Sequence, residues 1–185
     1  RQMCIRDSNE YDLFGLADHF DPRFFVASLR APYSLGPSSH AWFALEWRGG
    51  EPVHHPGMAE SSRQELLAAL PALVEEHGLD PAGVYVCGFS QGAIMGTYLT
   101  LTAPEAVTAL AAMSGRVLPE AIEQRAPDER LRGKPVLWVH GRQDPVLPIR
   151  FGRDAQAKLS ALPLDFEYEE FDMAHQVSQA GLGDL

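Results

Sequence analysis

The chain has 185 residues, of which 45% are hydrophobic and 22% charged, so we expect one ordinary globular domain over residues 1–185. Its formal net charge of −10 argues against binding to the phosphate backbone of a nucleic acid. No apolar run approaches the roughly 18 residues that a membrane-spanning helix needs, which argues against an integral membrane segment.

The first half of the chain predicts two short strands and one long helix. Residues 24–29, FFVASL, have the composition of a strand, and residues 41–45, AWFAL, indicate a weaker strand or a turn. Residues 61–77 predict an amphipathic helix because their leucines share one face, and Ser62 or the serine before it is the expected N-cap. Pro71 predicts either a kink in this helix or a new start.

The second half alternates apolar strands with helices. The predicted strands lie at residues 84–88, 106–113, 135–141 and 165–171, and the predicted helices at residues 91–102 and 149–162. Residues 116–132 are polar and contain two prolines, which favours a surface connection with room for one short helix. Residues 181–185 have the pattern of a helix start. This alternation predicts an α/β fold with a mostly parallel sheet flanked by helices.

Ligands of such sheets bind beyond the carboxyl ends of the strands, so the residues after each strand are the candidates for a site. Ser90 lies in CGFSQG, where Gly-x-Ser-x-Gly follows a strand and precedes a helix. This pattern is typical of a nucleophile elbow, a sharp turn in which Gly88 and Gly92 are expected to make room. Gln91 begins the helix, so its N–H is expected to face negative charge on a carbonyl oxygen. The alternative is a tight turn without chemistry.

Asp144 follows the strand predicted at residues 135–141, and His175 follows the strand predicted at residues 165–171. Each has a structural alternative, because Asp144 precedes Pro145 in a turn and a lone histidine is often a packing residue. However, the order Ser90, Asp144, His175 is the chain order of α/β-hydrolase triads. The separations fit strand–helix–strand repeats, which would bring all three to one edge of the sheet. Asp172 is the alternative acid, three residues before the histidine.

The remaining histidines and cysteines do not suggest a second site. His140 precedes a glycine at a strand end and is expected to pack in the interior. His54 and His55 are adjacent, but a metal site would need a third ligand. Two cysteines far apart in the sequence form neither a zinc site nor a disulfide framework. We therefore expect no metal and no cofactor.

Five segments in this order carry a family resemblance: NEYDLFGLA (9–17), RAPYSLGPSSHAWF (30–43), CGFSQGAIM (87–95), HGRQDPVLP (140–148) and AHQVS (174–178). They resemble the phospholipase/carboxylesterase family of small α/β-hydrolases, which includes acyl-protein thioesterases and bacterial carboxylesterases. The resemblance implies an α/β-hydrolase fold with Ser90 as nucleophile, His175 as base and Asp144 as its orienting acid. It also implies that the Gln91 N–H is an oxyanion donor, and it suggests that Trp42 lies near the acyl pocket.

The beginning of the chain departs from the family pattern. Family members carry a strand ending in Leu-His-Gly-x-Gly, and counting back from residue 9 places His-Gly-x-Gly on residues 4–7, which read CIRD. Arg6 falls at the position of the second oxyanion donor, and its surroundings do not match that motif. Loss of one such donor lowers the rate by roughly 10²–10³. The chain resembles a family member without its first strand or strands and without most of its last helix.

These observations together predict a serine hydrolase that cleaves small-molecule carboxylic esters or thioesters through an acyl-enzyme. The short stretches between the three site residues leave no room for a large cap domain, which favours small or protruding acyl groups. Two alternatives remain at this point: a peptidase of the same fold, and a non-catalytic module with an incomplete oxyanion site. The expected location is the cytoplasm, and the sequence leaves a homodimer open.

Overall fold

The computed structural model describes residues 14–15, 17–37, 39–49 and 51–177. The strands of this part of the chain are β1 (Tyr33–Gly36), β2 (Ser39–Ala41), β3 (Leu45–Arg48), β4 (Glu51–His54), β5 (Tyr85–Phe89), β6 (Ala109–Met113), β7 (Pro135–Gly141) and β8 (Asp165–Phe171). Its α-helices are α1 (Pro56–Glu76), α2 (Gln91–Thr102), α3 (Pro119–Glu123), α4 (Asp128–Leu131) and α5 (Arg150–Leu159). Two short 3-10 turns cover Ala17–His19 and Pro104–Ala106.

The central sheet has the strand order β5-β6-β7-β8, and all neighbouring strands run parallel. Gly88 pairs with Ala112 across β5 and β6, and Met113 pairs with Val139 across β6 and β7. Because the strands point the same way, the residues that follow them lie along one edge. With helices packed against the sheet, this is the predicted α/β architecture.

Helix α2 is the most buried helix described, and the sequence predicted both of its ends. Its residues are buried nearly all round, which explains why the segment is apolar on every face. The main core forms where α2 meets the sheet and the flanking segments, and its largest fully buried side chains include Trp138, Tyr98, Phe43 and Leu118.

Helix α1 begins at Pro56, before the predicted start, so the expected capping by Ser62 or Ser61 is wrong. His55 is the N-cap, and its Nδ1 accepts a hydrogen bond from the Met58 N–H at 3.3 Å. Proline is favoured as the first helical residue because its missing N–H would have no partner there. Pro71 lies inside one continuous helix, so no second start occurs.

Two antiparallel hairpins, β1–β2 and β3–β4, precede the central sheet and were not predicted. The expected weak strand at 41–45 is divided between the end of β2 and the start of β3, with a bend between them. His54, at the end of β4, lies 2.5 Å from Glu120 through Nε2, and its Nδ1 lies 3.0 Å from Nη2 of Arg116. Side chains that follow β6 therefore hold the second hairpin in place.

Two other predictions are wrong. Residues 24–29 form no strand; Phe24 and Phe25 are instead half-exposed. Phe24 makes an edge-to-face contact with Tyr85, and Phe25 packs at a tilt on His77. A strand needs a pairing partner, and no described strand pairs with this segment. Residues 116–132 contain two short helices rather than one, and they are not simply a surface connection, because several of their apolar side chains are buried: Val117, Leu118, Ala121, Ala126 and Leu131.

Within the described part of the chain, no helix combines the length and the apolar character required to cross a membrane.

Candidate active site

Ser90 occupies the turn between β5 and α2, at the carboxyl edge of the sheet. Its backbone has φ +56°, a left-handed conformation that strains a residue with a side chain, and such strain is found at functional sites. The turn is tied to the neighbouring strand, because the Ser90 N–H donates to the Met113 carbonyl at 2.9 Å. The hydroxyl of Ser90 is therefore carried by a rigid backbone.

The two glycines of the elbow differ in what they contribute. A Cβ at Gly88 would lie 2.4 Å from the carbonyl carbon and oxygen of Gly92, so this position cannot hold a side chain without moving backbone. A Cβ at Gly92 would meet no atom within 4 Å. The expectation that both positions need glycine for space is therefore met at Gly88 and is wrong for Gly92.

The three residues predicted from strand ends come together in the structure. Nε2 of His175 lies 3.0 Å from Oγ of Ser90, and Nδ1 of the same ring lies 2.6 Å from Oδ2 of Asp144. All three residues are buried, with at most 5% of their surface exposed. These are hydrogen-bond distances on both sides of one imidazole, the arrangement of a nucleophile, a base and an orienting acid.

The Asp144 carboxylate is held by the turn that follows it. Its Oδ1 accepts hydrogen bonds from the backbone N–H groups of Val146 and Leu147, both at 2.8 Å, while Oδ2 faces His175. Burial raises the pKa of Asp144, but these hydrogen bonds and the charge of His175 outweigh it and hold the pKa below its ordinary value. Asp144 is therefore an anion that can accept a hydrogen bond from the imidazole.

His140 supports the same turn from inside. It is fully buried, and its Nε2 lies 2.8 Å from the Leu147 carbonyl oxygen, so the ring nitrogen donates to that carbonyl. Burial lowers the pKa of His140, partly offset by this hydrogen bond and by the charge of Asp144. The sequence predicted its burial but not its contact. The available signal was a histidine at a strand end four residues before the acid.

Close backbone packing positions the loop that carries His175. A Cβ at Gly141 would lie 2.4 Å from the Met173 carbonyl oxygen and 2.5 Å from that of Ala174, so only glycine lets the loop pass this close to β7. The His175 ring also packs on Phe89, with ring centroids 4.7 Å apart. The glycine that ends β7 therefore allows the loop that carries His175 to approach the strand.

Gln91 begins α2, as predicted, so its N–H belongs to the first helical turn, whose N–H groups have no partner within the helix. Its side chain makes contacts that the sequence did not reveal. The amide oxygen accepts from the Trp42 N–H at 2.8 Å, and the amide nitrogen donates to the Phe43 carbonyl at 3.1 Å. Trp42 is half-buried. The hydrogen bonds to Gln91 place its backbone beside the residue that follows Ser90.

The other candidates fall outside this arrangement. Asp172, the alternative acid, is 72% exposed in its side chain and pairs with Arg142 at 2.9 Å, away from the imidazole. Arg6 lies outside the described residues. Over the ranges that the structure describes, no group of three or more histidine, cysteine, aspartate or glutamate side chains is placed to hold a metal ion.

A parallel sheet flanked by helices, with a serine elbow at its carboxyl edge, defines an α/β-hydrolase. The sequence model of the Phospholipase/Carboxylesterase family matches residues 32–185. The chain therefore belongs to the phospholipase/carboxylesterase family, a family of carboxylic ester hydrolases.

Two related proteins agree with this assignment. Acyl-protein thioesterase 1 of Kluyveromyces lactis is 28% identical over 165 residues, covering 85% of this chain and 71% of its own length. Carboxylesterase SOBER1 of Arabidopsis thaliana is 26% identical over 155 residues, covering 80% of this chain and 65% of its own length. The chain thus spans about two thirds of these relatives.

Solved structures share the fold. The crystal structure of esterase PE8 superposes with a TM-score of 0.81 at 31% identity, covering 97% of this chain and 85% of the esterase. The structure of Arabidopsis SOBER1 superposes with a TM-score of 0.80 at 22% identity, covering 97% and 90% of the two chains, and at this identity it supports the fold alone.

Proposed function

We propose that this chain hydrolyses carboxylic esters or thioesters, with Ser90 as nucleophile, His175 as general base and Asp144 as the orienting acid. One observation carries the proposal: a single buried imidazole lies within hydrogen-bond distance of a serine hydroxyl on one side and a carboxylate on the other. The relatives named as esterases and thioesterases support the same class of reaction.

The protonation of the imidazole follows from its neighbours. A carboxylate can only accept hydrogen bonds, so the proton of neutral His175 sits on Nδ1 and is donated to Asp144. Nε2 then carries the free lone pair, which accepts the hydrogen bond of the Ser90 hydroxyl. This is the tautomer that a general base needs.

In the first half of the proposed reaction, Ser90 Oγ bonds to the carbonyl carbon of the substrate while its proton passes to His175 Nε2. The carbonyl π electrons move to oxygen, and the Gln91 N–H donates to that oxyanion. When the tetrahedral species collapses, the bond to the alcohol or thiol breaks, and the leaving group takes the proton from Nε2. An acyl group then remains on Ser90.

In the second half, a water molecule gives a proton to the same Nε2 as its oxygen bonds to the acyl carbon. Collapse of this tetrahedral species breaks the bond to Ser90, whose oxygen recovers the proton from His175. The carboxylic acid leaves, and the site returns to its starting state.

For substrate class, we propose small or protruding acyl groups. Between Ser90 and Asp144 the chain forms α2, a 3-10 turn, β6, α3, α4 and β7 with their connecting loops, and α3 and α4 are short. These two helices pack on the main core through Ala121 and Leu131, so they do not form a separate cap. Strong activity restricted to long-chain triglycerides at an interface would contradict this substrate class.

The decisive test combines labelling with substrate choice. A fluorophosphonate probe should label the wild-type chain and should fail to label Ser90→Ala. Hydrolysis of p-nitrophenyl butyrate should exceed hydrolysis of aminoacyl-naphthylamides, which are peptidase substrates. A reversed preference would indicate a peptidase of the same fold instead.

A non-catalytic role is the second candidate, because one relative points to it. A rice protein named "Probable inactive carboxylesterase" is 30% identical over 95 residues, covering 51% of this chain and 39% of its own length. A folded sample of this chain that takes up no fluorophosphonate would support the non-catalytic alternative and reject the hydrolase.

A further inference from the structure

The segment between β2 and β3 is held mainly by side chains from two helices. Trp42 and Phe43 lie in a bend, and Phe43 is fully buried. Backbone groups in such a buried bend need hydrogen-bond partners, because leaving them unpaired is costly. Three of the four backbone polar groups of these two residues have side-chain partners.

Gln91 supplies two of these partners with one amide. Its Oε1 accepts from the Trp42 N–H at 2.8 Å, and its Nε2 donates to the Phe43 carbonyl at 3.1 Å. The two bonds use both ends of the amide, so they fix its orientation as well as its position. Only 8% of Gln91 is exposed, which means that water competes weakly for these bonds.

Ser62 supplies the third partner from the other side. It lies in α1, it is fully buried, and its hydroxyl donates to the Trp42 carbonyl at 2.5 Å. The backbone of Trp42 is therefore hydrogen-bonded through its N–H to a side chain of α2 and through its carbonyl to a side chain of α1. The glutamine that makes the first of these bonds is also the first residue of the helix after Ser90.

We propose that the Gln91 side chain is a positioning residue that sets the place of Trp42 relative to Ser90, and thereby the acyl-chain selectivity of the site. This inference rests on the proposed function, since it assumes that acyl groups are transferred to Ser90. It separates two roles within one residue: the backbone N–H serves the oxyanion, and the side-chain amide serves substrate choice. Ser62 has the second role alone.

The separation of roles predicts which kinetic quantities change. Gln91→Met keeps the backbone N–H and removes both amide hydrogen bonds, so its effect on hydrolysis should differ between short and long acyl groups. We define the spread as the ratio of the highest to the lowest kcat/KM among p-nitrophenyl acetate, butyrate and octanoate. This spread should shrink by about fivefold or more, mainly through changes in KM. Ser62→Ala should shrink the same spread without touching the elbow.

A conservative variant offers a rescue. In Gln91→Glu, one oxygen can still accept from the Trp42 N–H, but an ionised carboxylate presents no hydrogen to the Phe43 carbonyl. A protonated carboxyl would restore that donor; burial favours the protonated form, whereas the N-terminus of α2 and the Trp42 N–H favour the ionised form. The spread across the three esters should therefore be smallest at high pH and return toward the wild-type spread as the carboxyl becomes protonated in a titration from pH 8 downward. All three esters depend on the same general base, so a general fall in activity at low pH cancels from the ratio of their kcat/KM values.

The experiment measures kcat and KM for the three esters with the wild type, Gln91→Met, Gln91→Glu and Ser62→Ala. Gln64→Met, at an exposed glutamine of α1, is the matched control and should keep the wild-type spread. An active Gln91→Met variant with the wild-type spread would overturn the inference, as would an equal loss of kcat on every ester. If Gln91→Met does not fold, Ser62→Ala and the pH dependence of Gln91→Glu decide in the same way. A wild type that resists fluorophosphonate would instead reject the proposed function itself.

Discussion

Oδ2 of Asp144 lies 2.6 Å from Nδ1 of His175, although 31 residues separate them in the chain. Asp144 follows β7 and His175 follows β8, two strands paired in parallel from Pro135–Asp165 to Gly141–Phe171. The register of this pair determines that the two loops meet. The contact therefore depends on the register of the sheet, although both residues lie in the loops that follow its strands.

Asp144→Asn tests the orientation of the imidazole. An amide nitrogen facing Nδ1 favours the tautomer with its proton on Nε2, which cannot accept the Ser90 proton. We expect kcat on p-nitrophenyl butyrate to fall by roughly 10⁴ while the protein remains folded. Asp172→Asn is the control and should retain nearly full activity, because Asp172 pairs with Arg142 at the surface. A larger loss in Asp172→Asn than in Asp144→Asn would reverse the assignment of the acid.

Ser90→Ala and His175→Ala test the nucleophile and the base together. Each single change should lower kcat on the order of 10⁶, and the double change should cost little more, because the two residues act as one unit. Steady-state hydrolysis of p-nitrophenyl butyrate measures all three variants. A His175→Ala variant that keeps most of the activity would show that the base is another residue.

Gly88→Ala and Gly92→Ala form a matched pair within the elbow. A methyl at position 88 would be forced to 2.4 Å from Gly92 backbone atoms, so the turn must shift, and we expect lower stability and lost activity. A methyl at position 92 meets nothing within 4 Å, and alanine is the better helix former by about 1 kcal/mol. Thermal unfolding and ester hydrolysis should therefore separate the two variants, and equal damage from both would contradict the geometry.

The stability of the fold should depend on pH through His140. Burial holds its pKa below the ordinary 6.5, so as pH falls below about 6.5 the unfolded chain takes up a proton that the folded chain resists. Stability should then drop by up to about 1.4 kcal/mol per pH unit. Asp144, with a pKa below its ordinary 3.8, keeps its contribution at these pH values and loses it only in stronger acid.

Urea unfolding between pH 8 and pH 5 measures this dependence. His140→Gln keeps an N–H donor for the Leu147 carbonyl but cannot titrate, so its slope between pH 6.5 and pH 5 should be shallower than that of the wild type. His19→Gln changes an exposed histidine and should keep the wild-type slope. A wild-type stability that stays flat over this range would show that His140 does not carry the effect.

Those parts of the fold that depend on local pattern could be predicted from the sequence. The bounds of β7 and α2 were predicted because apolar runs between glycine or turn residues mark them directly, and those of β8 because its polar and aromatic residues alternate. The start of helix α1 was predicted too late because its N-cap is a histidine, whereas the usual helix-start pattern favours serine at the N-cap. The strand expected at residues 24–29 did not form, since strand formation depends on a pairing partner that the segment's own sequence does not encode.

The site divides in the same way. Ser90, Asp144 and His175 could be predicted because each lies within four residues of a strand end and their order is informative. The contacts of Gln91 with residues 42–43, of Ser62 with Trp42, and of His140 with Leu147 join elements that are distant in sequence or depend on the exact path of a turn. Side-chain hydrogen bonds of this kind form only when the elements pack, so local pattern does not reveal the partner; for His140 it offered only a histidine at a strand end near the acid.

The left-handed backbone of Ser90 means that the proposed nucleophile is held in a strained conformation that only glycine would relieve. Glycine adopts φ +56° freely, whereas serine and alanine both carry a Cβ that strains this conformation by about 1–3 kcal/mol. Ser90→Gly should therefore unfold at a higher temperature than Ser90→Ala, although both lack the hydroxyl. If so, stability and activity are in direct opposition at this one residue, and selection for thermal stability alone would remove the reactive group first.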